Sequence, residues 1–261
     1  MKGFVFAAGL GTRLKPITDT LPKALVPVGG KPLLEHVLRK MHSAGIDEVV
    51  VNVHHFAGKI EDWLADQDWI SAGETEKSDA CMCVQVSDER TELLETGGAV
   101  LHAKQYLEGC GSFLIHNVDI LSDCDFDWLA SKVRPDALAT LLVSNRKSSR
   151  YLLFNPKTMR LVGWTNENTG EIRPAGLDVK NADYLKLAFS GIHIMSDKVP
   201  GLMEKFVLDK RLCPPRFSVI EFYLEMCTVH GIYGVCSENL KLLDVGKLDS
   251  LAEAEDFLMA Q

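Results

Sequence analysis

The apolar positions of this chain fall into short runs separated by polar, turn-forming stretches, and their spacing alternates between two periods. Phe4-Val5-Phe6-Ala7-Ala8 is a continuous apolar run of strand length, which reads as a buried strand. Leu34, Val37, Leu38 and Met41 recur at helical spacing, with Gly45 placed to end the helix. Glu48-Val49-Val50-Val51-Asn52-Val53 reads as a second buried strand. Strand, loop, helix and strand in this order make a βαβ unit, which implies parallel pairing and a right-handed crossover. A second helix is expected to carry Ile60, Trp63 and Leu64 inward, and the polar stretch 73–79 reads as a surface loop. Strands follow over 81–86 and 112–116. Between them lies a helix over 99–107, with Val100, Leu101 and Leu107 inside.

From Ala137 the texture changes. Strands are expected over 137–143, 151–154, 160–164 and 186–195, separated by turns such as Asn155-Pro156-Lys157 and Asn168-Thr169-Gly170. They read as antiparallel additions to the parallel sheet. Helices follow over 197–207 and 219–227, then two short strands leading into Leu243-Asp244-Val245-Gly246, and a closing helix over 248–258. The expected class is α/β, a Rossmann-like mixed and mostly parallel sheet with helices on both faces and an antiparallel extension. No repeat or long linker interrupts it, so 1–261 reads as one domain with halves 1–136 and 137–261.

Composition narrows the partners. A net charge of −8 argues against nucleic acid and anionic membrane surfaces, both of which select basic faces. Seven cysteines, an odd number without paired spacing, read as reduced thiols. Cys81 and Cys83 alternate on one strand face, where buried small hydrophobes are expected. No signal-peptide pattern and no apolar run of about 20 residues occurs, so a cytoplasmic location is expected. Dimerisation is compatible with the sequence, although no surface pattern establishes it.

The first strand breaks into Gly9-Leu10-Gly11-Thr12-Arg13. Glycines let backbone approach a ligand, successive turn amides make an anion site, and Arg13 adds a fork of donors matched to phosphate. Lys23 follows between Pro22 and an apolar run. The stretch reads as a polyphosphate-binding loop with a second cation. It is neither a P-loop, lacking Gly-x-x-x-x-Gly-Lys-Ser/Thr, nor a dinucleotide fingerprint, whose third glycine is replaced by Leu14. An NAD enzyme would want an acid ending the second strand, where this chain has Asn52, Val53 and His54. Asp119 and Asp244 each end an apolar run, and the C-terminal edge of a parallel sheet is where ligands bind. His54, His55 and His116 read as packed or surface residues.

The run Gly9-x-Gly11-Thr12-Arg13-Leu14-x-Pro16-x-Thr18, then Pro22-Lys23-x-Leu25-x-Pro27-Val28 and Lys31-Pro32-Leu33, resembles the sugar-1-phosphate nucleotidylyltransferase family position by position. Glu95-Thr96-Gly97-Gly98, Asp119, Phe189-Ser190-Gly191-Ile192-His193 and Asp244-Val245-Gly246 extend the likeness along the chain. It implies an enzyme that joins an NTP and a sugar 1-phosphate into an NDP-sugar, releasing pyrophosphate, without a general base. It further implies that Ala8, Gly9, Gly11, Thr12 and Arg13 hold the nucleotide phosphates, with Thr96 and Gly97 bordering the base. Lys23 would stabilise the attacking and α-phosphates, Asn117 and Gly191 would meet the sugar, and Asp119 and Asp244 would share Mg²⁺. The compact length is similar to that of the mannose-1-phosphate guanylyltransferase-like and N-acetylmuramate-1-phosphate uridylyltransferase group. Two departures stand out: Asn117-Val118-Asp119 where relatives carry Asn-Gly-Asp, and Trp164-Thr165-Asn166 where many carry Glu-Lys-Pro. The alternative is a non-catalytic relative that senses an NDP-sugar.

Overall fold

The computed structural model describes residues 1–72, 81–179, 183–237 and 240–259; the loop expected over 73–79 lies outside them. A mixed sheet runs through the molecule in the order Glu171–Arg173, Leu161–Asn166, Arg150–Phe154, Leu185–Ser196, Ser112–Asn117, Lys2–Phe6, Glu48–Val53, Met82–Asp88 and Ile70–Ala72. Lys2–Phe6 pairs parallel with Glu48–Val53 on one side and Ser112–Asn117 on the other. It therefore stands where the chain order reverses, and such a crevice opens at the C-terminal strand ends.

Alternation along these strands feeds two cores. Val5, Val49, Val51 and Leu114 face the layer built by the helices Leu33–Ser43, Ala57–Ala65 and Asp249–Met259. Phe4, Val50, Phe113 and Ile115 face Glu95–His102, Val199–Lys210 and Val219–Met226. Burying both faces explains why the parallel strands read as unbroken apolar runs.

The long strand Leu185–Ser196 joins the two textures. It runs antiparallel to Arg150–Phe154, to Ser112–Asn117 and to Ala137–Ser144. Gly231–Cys236, one of the two short strands expected before Leu243, adds to Ala137–Ser144 in parallel. One correction concerns the cysteines. Met82 and Val84 take the core-facing positions, which turns Cys81 and Cys83 to half-buried surroundings. The closing segment returns to the first half, where Leu242–Asp244 pairs antiparallel with Ile120–Ser122.

Candidate active site

A cleft of about 380 Å³ opens at the ends of the central strands, lined in part by Ala8, Gly9, Lys23, Asn52, Thr96, Asn117 and Asp119. Two larger cavities, about 560 and 580 Å³, contain none of the site residues expected from sequence. The chemistry therefore points to the smaller one.

Lys23 begins the short 3-10 turn Lys23–Leu25, and its ammonium donates to the Asp119 carboxylate. Both side chains are mostly buried, at 11% and 18% exposure, so each charge depends on the other. The glycine loop folds back onto this turn. Gly11 has φ +63°, and a Cβ there would meet Thr18 Cγ2 at 2.8 Å and Lys23 Cβ at 3.0 Å. The Thr18 hydroxyl closes the loop by donating to the Gly11 carbonyl at 2.8 Å.

Asp244 stands opposite Ile120 in the two-stranded ladder, and the Val245 amide donates to the Asp119 carbonyl at 2.8 Å. The fold thus brings the backbones of the two aspartates side by side. Arg13 joins them from the loop. A Cβ on Gly246 would lie 2.6 Å from Asp244 Oδ1 and 2.7 Å from Arg13 Nη2, so glycine leaves room for both. Arg13, Thr12 and Asp244 are exposed and lie outside the lining of the cleft.

Gly191 sits at a register shift in the long strand, with φ +80°. A Cβ there would come within 2.7 Å of Asn117 Nδ2, so the two expected sugar contacts are neighbours. On the opposite wall, Thr96 Oγ1 accepts from the Val219 amide at 2.9 Å. Gly97 and Gly98 turn away to pack: a Cβ would lie 2.3 Å from the Phe217 ring or the Pro215 carbonyl, respectively. Trp164 and Asn166 line a separate groove with Arg150 and Arg173, which meets the cleft at Ser218.

The histidines stay outside the cleft lining. His54 is hydrogen-bonded to the Glu89 carbonyl, His55 packs on Phe56, and burial lowers the pKa of His116 to about 4. His193 is also fully buried, which lowers its pKa to about 3. Sequence reasoning missed Asn52 and Glu89 as part of the wall. A lone amide within a run of valines is the signal that marks Asn52; nothing local marks Glu89.

The Nucleotidyl transferase family model matches residues 2–151, the part that carries the loop, Lys23 and Asp119. The chain belongs to that family. It is 42% identical over 115 residues to an N-acetylmuramate alpha-1-phosphate uridylyltransferase of Caulobacter vibrioides, covering 44% of each chain. A Neisseria meningitidis protein of the same name is 37% identical over 126 residues, covering 48% of this chain and 50% of that one. The matched region spans about half the length of these curated relatives. The fold matches a UDP-glucose pyrophosphorylase complexed with UDP-glucose at TM-score 0.73 and 16% identity, covering 100% of this chain and 99% of that one. That likeness establishes the α/β architecture.

Proposed function

We propose that this chain is a sugar-1-phosphate nucleotidylyltransferase, forming an NDP-sugar and pyrophosphate, with UTP and N-acetylmuramate 1-phosphate as its first-choice substrates. The carrying observation is the meeting of Lys23 and Asp119 in a cleft at the sheet's C-terminal edge, with Asp244 on the adjacent strand. The residues 1–136 form the nucleotide half and 137–261 the sugar half, apart from the returning strand with Asp244. The names of the first relatives support uridine and the muramate sugar over the mannose and guanine pair.

The phosphate of the sugar substrate is ionised near neutral pH and attacks the α-phosphorus in line. A new P–O bond forms, the bond to the β-phosphate oxygen breaks, and pyrophosphate leaves with its electron pair. Transfer of this kind asks the protein for positioning and charge neutralisation. Lys23 faces the attacking and α-phosphates, Arg13 the leaving β- and γ-phosphates, and the amides of Gly9, Gly11 and Thr12 cradle the chain between them, with Ala8 at the start of the loop held by Asn52. Thr96 borders the base, with Gly97 packed behind it on Phe217, while Asn117 and Gly191 border the sugar.

The donor set fits Mg²⁺. One or two carboxylates together with substrate phosphates are what this ion takes. Asp119 and Asp244 would hold it, and when bound it supplies positive charge to the triphosphate. Among the described residues no helix is long and apolar enough to cross a membrane.

A matrix of UTP, GTP, CTP and ATP against a panel of sugar 1-phosphates, scored by pyrophosphate release, tests the reading. One dominant pair that fails without Mg²⁺ is expected. A matrix blank throughout would leave the NDP-sugar sensor standing instead.

A further inference from the structure

Asn52 and Glu89 are buried polar residues of the cleft wall with no part in the reaction above. Asn52 Oδ1 accepts from the amides of Ala7 and Ala8, at 2.7 and 3.3 Å. Its Nδ2 donates to Glu89 Oε1 at 2.8 Å. The other carboxylate oxygen, Oε2, accepts from the Leu94 amide at 3.3 Å, just before Glu95 and Thr96. The charged or titratable groups facing Glu89 are His54 and His102.

The polarity of this chain of bonds is fixed from one end. A carboxylate offers only acceptors, so it commits the Asn52 amino group to itself and turns Oδ1 toward the loop. It also holds the start of the opposite wall through Leu94. A carboxylate this deep is costly unless its bonds are complete, and here both oxygens are bonded.

We propose that Glu89 is a positioning residue for nucleotide binding, fixing the amides of Ala7 and Ala8 through Asn52 and the opposite wall through Leu94. The inference rests on reading this cleft as the nucleotide site.

Three variants of the full chain test it: Glu89→Gln, Asn52→Asp, and the two combined. In Glu89→Gln the single carbonyl at position 89 can serve Asn52 or Leu94, not both. In the combined variant every bond is restored and only the one between positions 52 and 89 runs the other way: the new carboxylate accepts from Ala7, Ala8 and the new amide, whose carbonyl accepts from Leu94.

Hydrogen exchange is read at Ala7, Ala8 and Leu94, and affinity by calorimetry with whichever of UTP, GTP, CTP or ATP the wild type binds most tightly. Each single variant should speed exchange at one or more of these amides about tenfold and weaken nucleotide binding about tenfold, leaving the KM for sugar 1-phosphate within about twofold. The combined variant should recover both to within about threefold. Unchanged exchange and affinity in the single variants, or a combined variant no better than they are, overturns the proposal. If exchange responds as expected while wild-type protein binds none of the four nucleotides, the nucleotide role fails together with the reading of the cleft, and only the structural tie survives.

Discussion

The Val245 amide donates to the carbonyl oxygen of Asp119 at 2.8 Å, and from that bond the closing strand runs back along Ile120–Ser122. A residue near the end of the chain is thereby fastened to the turn that leaves the central strand. This contact sets the backbones of Asp119 and Asp244 side by side.

Replacing either carboxylate with its amide should expose that partnership. Asp119→Asn and Asp244→Asn are each expected to lower kcat/KM by about 10²–10³-fold in a pyrophosphate-release assay, with little change in thermal stability for the exposed Asp244 but a loss for Asp119→Asn, which leaves the buried Lys23 ammonium without its partner. Retained turnover in Asp244→Asn would remove that residue from the site.

Lys23→Met should act on both activity and folding. The Asp119 carboxylate, mostly buried, loses its cation, and stability should fall by about 1–3 kcal/mol in urea unfolding. Asp119→Asn added to Lys23→Met should recover part of that loss without recovering turnover. Additive losses would mean that the pair is not coupled.

Gly191→Ala tests the sugar end. The substitution strains a backbone at φ +80° and drives a methyl to 2.7 Å from Asn117 Nδ2. It should cost about 1 kcal/mol or more, raise the KM for sugar 1-phosphate, and leave nucleotide affinity nearly unchanged. A larger effect on nucleotide than on sugar would reassign this part of the cleft.

The buried histidines set an acid limit. Burial holds His116 at about 4 and His193 at about 3, below the ordinary 6.5 of the unfolded chain. Between those values the unfolded state binds more protons, so stability is intact above pH 6.5 and falls as the pH drops toward 4. Each histidine contributes a slope of about 1.4 kcal/mol per pH unit over its window. Urea midpoints measured from pH 7 to pH 4 should shallow their slope by roughly half in His193→Phe. An unchanged slope would show that His193 does not titrate on unfolding.

Much of the site was legible because it is local. The loop from Gly9 to Arg13, Lys23 and its prolines, and Asp119 at a strand end are each set by neighbours in sequence, through turn chemistry and hydrophobic period. Strand Glu48–Val53 appears at its expected bounds for the same reason: a valine run buried on both faces has few other structures open to it. The two glycines after Thr96 show the limit of such reading, since their need for space comes from Pro215 and Phe217, remote in the chain.

What the amino-acid order determined by itself was the succession of the main strands and helices, the glycine loop and the chemical types available to the candidate site. Tertiary structure alone decided that Asp244 returns beside Asp119, that Gly246 makes room for Arg13, and that Glu89 completes the bonds of Asn52. Those relationships depend on strand pairing and burial between distant segments, where the energy of a contact is set by the fold around it and leaves no periodic trace in either segment.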